Sequence, residues 1–481
     1  MLNNGLKILF ISSEVSPYSK TGGLGDVAGS LPAALRRLGV DIRVVMPKIR
    51  RFTAAHMEDS KLVSNFTVHL SWRAQNAAVY ETNHENGVVY FIENDFYFNR
   101  DSLYGYDDDH ERFAFFTKSA IEMLSHINFK PDVLHFNDWH SGLGPTYLRD
   151  VYGGFTFYKS MKSLFTIHNL HYQGVFARDV LWDIGLNDGY FTNGDLEFHG
   201  NISFMKAGIL HSDAVSTVSQ TYAKEIMTPA YGYDMDGLLR KRGQDGRLFG
   251  IVNGIDTTQH DPKTDPRLFV NFDKDSLAKK RVNKHRLQEA LGLPVGDTPV
   301  ISMVTRLAQQ KGLDIVAFIM EELMSMDIQL VILGTGEGRY EDLFRSYAHR
   351  FPHKVSANIT FDSTLAQRIY AGSDIFLMPS VYEPCGLGQL FALRYGTIPI
   401  VRKTGGLADT VVHYNKTTGM GNGFVFEDCV ASGLMWAVKE ALHVYHSLDW
   451  DALVVNAMSN DYSWDKSAKE YISLYEAVLE M

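Results

Sequence analysis

Only two cysteines, Cys385 and Cys429, occur in 481 residues. That number rules out a disulfide framework and suits a reducing compartment. No apolar run approaches the roughly 20 residues that a membrane-spanning helix requires. The opening apolar run, Leu6 to Ile11, breaks at Ser12-Ser13-Glu14 with no basic region before it and no small-residue cleavage site. It is expected to be a buried strand rather than a leader. Basic residues form no stripe: Arg36-Arg37 and Arg240-Lys-Arg242 are short and isolated in a chain of net charge −10. A nucleic-acid partner is therefore excluded, because such partners demand clustered positive charge. His135, His140, His168 and His171 have neither an HExxH spacing nor Cys/His pairs beside them, so no metal site is expected. Asp107-Asp108-Asp109 contains a DxD, but it follows Tyr104-Gly-Tyr106 in a polar loop before a helical stretch, where helix capping and solvation account for it. Low-complexity tracts and short tandem repeats are absent. These gaps describe a cytoplasmic protein with no membrane, nucleic-acid or cofactor partner.

What the chain does contain is an ordinary globular composition, 45% hydrophobic and 21% charged, over a length that suits two large domains. Short apolar runs alternate with longer amphipathic stretches, the βαβ signature of a parallel sheet covered on both faces. The expected strands of the first half are Lys7–Ile11, Asp41–Met46, Val88–Ile92, Val133–Phe136, Ser163–Ile167 and Ala214–Val218, with a β-hairpin around Thr67–Leu70 and Ala77–Glu81. The second half restarts with Val300–Val304, Gln329–Leu333, Ile359–Phe361, Ile375–Met378, Pro399–Val401 and Phe424–Phe426. The run Phe249–Ile255 reads as a strand of the second sheet, which sets a boundary at Leu248. The expected division is residues 1–247, residues 248–460, and a helical tail over residues 461–481.

The richest stretch runs from Met378 to Val411. Strand Ile375–Met378 leads into Glu383, held between Tyr382 and Pro384, then into the turn Cys385-Gly386-Leu387-Gly388 and a helix over Gln389–Tyr395. A second strand leads into Lys403-Thr404-Gly405-Gly406-Leu407. Helix N-termini and free loop N–H groups attract anions, so the pair suggests donors for a diphosphate with Glu383 for sugar hydroxyls. The plainer alternative is two βα turns that use glycine for geometry. The loop has an echo near the N-terminus, where Lys20-Thr-Gly-Gly23-Leu-Gly-Asp26-Val27 resembles Lys403–Thr410. Each half thus offers a glycine loop at the carboxyl ends of its strands, where open α/β sheets bind ligands. Lys20 is a cation within reach of a phosphate; Asp26 is placed to cap its helix or to bind a hydroxyl.

KTGGLGDV at Lys20–Val27, HNLHYQG at His168–Gly174, NGID at Asn253–Asp256, TRLAQQKG at Thr305–Gly312, EPCGLGQ at Glu383–Gln389 and KTGGLADTV at Lys403–Val411 stand together in one order. In that order they resemble the bacterial glycogen synthase and plant starch synthase family. The resemblance implies an α/β protein of two Rossmann-like domains facing across a cleft (the GT-B arrangement), with a terminal helix that returns to the first domain. It implies retaining transfer of glucose from ADP-glucose to the non-reducing end of glycogen or another α-1,4-glucan. Arg306 and Lys311 match the family's donor-phosphate cations and Lys20 its donor-binding lysine. His168 with Asn169 falls against the transferred glucose, Asp138 on the acceptor side beside Trp139, and Asn253 on the donor side. Phe361 stands where an aromatic ring stacks on adenine. Gly388 occupies a position where the family often has Thr or Asn, which removes one side-chain donor to phosphate.

Cleaving a glucosyl–diphosphate bond develops negative charge on the leaving group, which Arg306, Lys311 and helix N-termini can stabilise without a metal. A histidine at a strand end such as His168 is otherwise a core residue, and an RxxxxK pair is otherwise a solvated loop. Retaining glycosidases use two carboxylates, whereas the position seven residues beyond Glu383, where related transferases carry a second Glu, is Leu390. Front-face attack is the expectation, with Glu383 binding glucose hydroxyls and Cys385 packing rather than attacking. The rival readings are a transferase using a UDP-sugar and a catalytically silent nucleotide-sugar or glucan sensor.

Overall fold

The computed structural model describes residues 5–49, 53, 57, 59–84 and 87–481. The chain divides into two compact units, residues 1–253 with 464–481, and residues 254–463. The expected first domain began at residue 1; residues 1–4 lie outside the described residues.

The main sheet of the first unit has nine strands among the described residues, in the order Leu248–Gly250, Ala214–Thr217, Lys162–Ile167, Val133–Asn137, Lys7–Ile11, Asp41–Pro47, Gly87–Glu93, Arg73–His84 and Lys61–Leu70. The first seven run parallel, and the last two form the hairpin, antiparallel. Numbered along the chain, the parallel strands lie 7-6-5-4-1-2-3. The order therefore reverses between Lys7–Ile11 and Val133–Asn137, the topological switch point where open α/β sheets take their ligands. Leu9, Phe10, Ile11, Leu134 and Phe136 are buried in succession, as expected where helices cover both faces of a parallel sheet.

The C-terminal helix, Trp464–Glu480, belongs to this first unit. Trp464, Ala468, Tyr471, Tyr475 and Val478 recur at alternating spacings of four and three, one helical stripe, and all are buried with Leu31, Ala34 and Leu35 of the helix Gly23–Arg37. Tyr475 Oη lies 2.7 Å from His135 Nδ1, while His135 Nε2 lies 2.6 Å from Thr166 Oγ1. Both ring nitrogens are thereby engaged, and burial pushes the imidazole well below its usual pKa; His135 is a core histidine. Ser467 Oγ donates to Val252 O at 2.6 Å. Removing residues 464–481 would expose five or more large apolar side chains, each worth about 1.5–3 kcal/mol, which rivals the whole stability of a typical domain, roughly 5–15 kcal/mol. A chain ending at Ser463 is expected to lose its cooperative thermal transition for the first unit and to accumulate as aggregate, as read by calorimetry and the soluble fraction.

The second unit holds a six-stranded parallel sheet among its described residues, ordered Val355–Asn358, Gln329–Leu333, Val300–Val304, Ile375–Met378, Ile398–Arg402 and Phe424–Phe426. In chain numbering this is 3-2-1-4-5-6, the doubly wound order of dinucleotide-binding folds. Its switch point falls between Val300–Val304 and Ile375–Met378.

Three expectations need correction. Leu248–Gly250 pairs in parallel with Ala214–Thr217, so it closes the first sheet instead of opening the second, and the division falls after Asn253. The apolar run was real, but a strand's own composition does not say which sheet it joins. The third strand of the second sheet is Val355–Asn358, in register with Leu330–Leu333, and not Ile359–Phe361. Thr360 N turns back onto Asn358 O at 3.0 Å, which leaves Phe361 in the loop beyond. The hairpin strands are longer than expected, Lys61–Leu70 and Arg73–His84, because their ends carry no alternation to read: Lys61, Leu62 and Val63 are exposed in succession.

Candidate functional site

In the second unit, two loops leave the switch point side by side. The first, after Val300–Val304, carries Arg306 and Lys311; the second, after Ile375–Met378, carries Glu383. Backbone contact joins them, with Val381 N donating to Gln310 O at 2.8 Å. Gly312 adopts φ +71, and a Cβ there would meet Pro379 O at 2.0 Å, so only glycine permits this approach. Lys311 Nζ reaches Glu383 Oε2 at 2.6 Å, and Ser380 Oγ donates to the same oxygen at 3.1 Å. Glu383 is buried and Lys311 largely so. Arg306 is exposed and donates from Nη2 to Gln310 Oε1 at 3.2 Å, so its guanidinium is the more available of the two cations.

The third loop of this unit, Thr404-Gly405-Gly406, packs directly under Glu383. Gly406 N donates to Glu383 O at 3.2 Å and to Pro384 O at 3.1 Å. That N–H is therefore spent on the neighbouring loop, a correction to the expectation that both glycine loops offer open donors. A Cβ on Gly405 (φ +43) would lie 1.9 Å from Glu383 O, and one on Gly406 2.2 Å from Cys385 O. Thr404 and Cys385 are buried, and Gly386 takes φ +75. Gln389 Nε2 ties the turn together by donating to Cys385 O and Gly386 O at 3.0 Å each. Leu387 begins the helix Gly388–Arg394. Phe361 is 91% exposed on its own loop at the same sheet edge, a free aromatic face. An alanine at Gly405 is expected to shift Glu383 and lower turnover about tenfold to a hundredfold, since displacements near 1 Å are that costly. An alanine at Gly23, where a Cβ meets no protein atom within 4 Å, is expected to leave the melting temperature unchanged and to raise a substrate KM only. Initial rates and thermal melts on the pair check both.

In the first unit the groups gather at the other switch point. Asp138 follows Val133–Asn137 with φ +55 and ψ 178, a region that costs a non-glycine residue roughly 1–3 kcal/mol. Its Oδ1 accepts His168 N at 2.7 Å and Asn169 N at 3.5 Å, and so holds the end of the next strand. Burial nevertheless dominates and pushes the Asp138 carboxyl up to about 7. His168 Nε2 lies 2.9 Å from Asn137 Oδ1. The Asn137 amide donates to Ile11 O and His135 O, so its oxygen accepts, the His168 proton sits on Nε2, and Nδ1 is left as acceptor. Burial lowers His168 to about 3; the ring works as a neutral imidazole.

Lys20 is not a lone cation: its Nζ pairs with Asp26 Oδ1 at 2.7 Å. Asp26 does not cap the helix, whose N-cap position is Gly22, and burial raises its carboxyl pKa against the lowering effect of Lys20. The residue missed by sequence reasoning is Glu14. Its buried carboxylate accepts Thr21 N at 2.6 Å, Gly22 N at 3.2 Å, Thr21 Oγ1 at 2.6 Å and Tyr104 Oη at 2.6 Å. The first glycine loop has thus filled part of its anion-binding capacity with its own side chain. Only the position of Glu14, between a strand end and a glycine loop, signalled it. Asn253 closes the unit, buried, with Oδ1 lacking a hydrogen-bond partner among the described residues. Asp107-Asp108-Asp109 serves structure: Asp108 binds Arg100 at 2.6 Å, and Asp109 pairs with buried Arg112 and accepts Gly105 N at 2.8 Å.

Two doubly wound sheets, one with cations and a carboxylate converging at its switch point, are what a nucleotide-sugar glycosyltransferase of the GT-B class is built from. Residues 7–241 match the family model described as the starch synthase catalytic domain, and residues 286–448 that described as glycosyl transferases group 1. Across 482 residues the sequence is 49% identical to the glycogen synthase of Clostridioides difficile, covering 99% of this chain and 100% of the relative. Against the glycogen synthase of Desulforudis audaxviator it is 50% identical, covering 100% and 98%. The chain belongs to the glycogen synthase family. The solved catalytic domain of starch synthase IV from Arabidopsis thaliana, bound to ADP and acarbose, superimposes with a TM-score of 0.92 at 32% identity, covering 99% of this chain and 100% of that one. Sucrose-phosphate synthase from Thermosynechococcus elongatus shares the fold, with a TM-score of 0.62 at 17% identity and 99% coverage of each chain.

Proposed function

We propose that the protein transfers glucose, with retention of configuration, from ADP-glucose to the non-reducing end of glycogen or a related α-1,4-glucan and releases ADP. The observation that carries this is the Lys311–Glu383 pair at the switch point of the second unit, in a chain about half identical to glycogen synthases over its full length. The related starch synthase structure, with ADP and acarbose bound, supports the same donor and acceptor classes. Lys311 and Arg306 are assigned to the diphosphate, where fixed cations stabilise leaving-group charge without a metal. Glu383 is assigned to sugar hydroxyls, and Phe361 to the adenine face. The loop groups Cys385, Gly386, Leu387, Thr404, Gly405 and Gly406 form the wall that holds Glu383 in place.

On the first unit, neutral His168 offers an acceptor nitrogen and Asp138 a carboxyl beside it, suited to the hydroxyls of the transferred and accepting sugars. Lys20 with Gly23 and Asp26, together with Asn169 and Asn253, complete the proposed binding set. Attack on the face from which the diphosphate leaves lets a phosphate oxygen take the acceptor proton, with bond formation to the anomeric carbon accompanying loss of ADP. No helix among the described residues is long and apolar enough to cross a membrane. The test compares ADP-glucose and UDP-glucose with glycogen in the presence of EDTA, following released nucleotide. Rapid release from ADP-glucose that EDTA does not alter supports the reading. Preference for UDP-glucose overturns the donor assignment, and donor binding without turnover returns the protein to a sensor.

A further inference from the structure

Glu383 is held through one of its two oxygens. Lys311 Nζ and Ser380 Oγ both donate to Oε2, at 2.6 and 3.1 Å. Oε1 accepts from no protein group among the described residues. A carboxylate accepts at both oxygens, so this one keeps an open acceptor while the other is occupied twice.

The two groups that hold Oε2 differ in kind. Lys311 carries its charge on a flexible stem, which lets the ammonium swing between partners. Ser380 is a short hydroxyl with no exposed surface, and the backbone around it is clamped. Before it, Pro379 O lies only 2.0 Å from where a Cβ on Gly312 would stand. After it, Val381 N donates to Gln310 O at 2.8 Å, Gln310 Nε2 to Tyr382 O at 3.3 Å, and Arg402 Nη1 to Val381 O. The stem of Glu383 is walled in as well, since a Cβ on Gly386 would lie 3.0 Å from Glu383 Cγ.

A bound diphosphate changes the competition for Lys311. With more than one negative charge, it draws an ammonium more strongly than a single carboxylate does. As Lys311 turns to it, the serine is the donor that stays on Oε2. A hydroxyl bonded to an ionised acceptor makes one of the stronger protein hydrogen bonds, enough to hold a side chain in one rotamer.

We propose that Ser380 is a positioning residue for recognition of the transferred glucose. It keeps Glu383 Oε2 in place when Lys311 turns to the donor diphosphate, so that Oε1 stays aimed at a sugar hydroxyl. This role rests on the assignments of Lys311 and Glu383 above. It separates two tasks that the lysine alone would have to share: charge for the leaving group, and order for the carboxylate that reads the sugar.

The test is Ser380→Ala, with Ser380→Cys as a companion of similar shape and weaker donor strength. Both are assayed on ADP-glucose, on its monodeoxyglucose analogues, and with ADP as inhibitor. In Ser380→Ala, kcat from ADP-glucose is expected to fall about tenfold, with the cysteine variant between it and the parent. Inhibition by ADP, which has the diphosphate and no sugar, is expected to stay unchanged. The melting temperature should hold too, because Lys311 still pairs with Glu383 when no donor is bound. The analogue lacking the hydroxyl that Glu383 reads should lose kcat/KM in the parent and lose several times less in Ser380→Ala, while the other analogues keep one penalty in both. Parent-like kcat in Ser380→Ala overturns the proposal, as do identical analogue penalties in the two proteins. A matching loss of ADP affinity also overturns it, because Ser380 would then serve the diphosphate. If the parent transfers no glucose, the functional reading fails and calorimetry decides the role of Ser380. Tighter binding of ADP-glucose than of ADP that the alanine variant abolishes supports it; an advantage that survives in the variant, or is missing in the parent, overturns it.

Discussion

Lys311→Ala will cost turnover and stability together, whereas the double variant Lys311→Met/Glu383→Gln will lose turnover alone. The Lys311 ammonium and Glu383 carboxylate meet at 2.6 Å in a largely buried loop pair. Removing the lysine leaves an unpaired buried carboxylate, a change worth about 3 kcal/mol or more. Replacing both partners by neutral groups of similar shape removes that penalty, because no charge is left unsatisfied. Catalysis follows a different rule. Lys311 is assigned to charge that develops on the leaving diphosphate, and loss of one such group lowers turnover roughly a hundredfold to a thousandfold. Donor-saturated rates and thermal melts on the two variants separate these effects. Recovery of turnover in the double variant would make the pair a structural strut rather than a catalytic device.

Asp138→Asn is expected to be more stable than the parent at alkaline pH and less active at every pH. Asp138 is buried with its carboxyl raised to about 7 from an ordinary value near 4. The folded value is above the unfolded one, so folding favours the protonated form. The stability this contributes is complete below about pH 4 and is lost as pH rises through about 7. The shift corresponds to roughly 4 kcal/mol. Asparagine presents the same oxygen to His168 N and Asn169 N but carries no charge to bury. The stability difference between variant and parent should therefore be small at low pH and largest above neutrality. His168, lowered to about 3 by burial, works in the opposite direction: its neutral form is favoured, and the fold loses stability as pH falls below about 6.5. That contribution is common to both proteins and cancels in the difference. A flat difference across pH would show that Asp138 ionises freely in the folded chain.

Most of the architecture was legible because parallel strands buried on both faces announce themselves as unbroken apolar runs, as at Lys7–Ile11, Val300–Val304 and Gln329–Leu333. Glycine loops at strand ends pointed to the switch-point edges of the two sheets, and the close approach of Gly405 and Gly406 to the Glu383 loop gives their glycines a steric reason. What stayed hidden was pairing over distance. Nothing local in Leu248–Gly250 tells which sheet it will join, and a stretch such as Lys61–Ser64, with its two apolar residues side by side, carries no alternation to read. Within the site, Lys20 and Arg306 looked alike as loop cations, yet one is matched to Asp26 and the other stands exposed. Glu14 was overlooked because a carboxylate that fills a loop's own donors has no motif, only a neighbour in space. Asn137 was passed over for its neighbour Asp138, although it is Asn137 that sets the proton position on His168.

The direct measurement incubates the protein with glycogen and ADP-glucose labelled in the glucose, then digests the recovered polymer with β-amylase, which removes maltose from non-reducing ends. The incorporated label is expected to be released as maltose, and Lys311→Ala is expected to incorporate little. Label that resists the digestion, or appears as free glucose without entering the polymer, would contradict the proposed transfer.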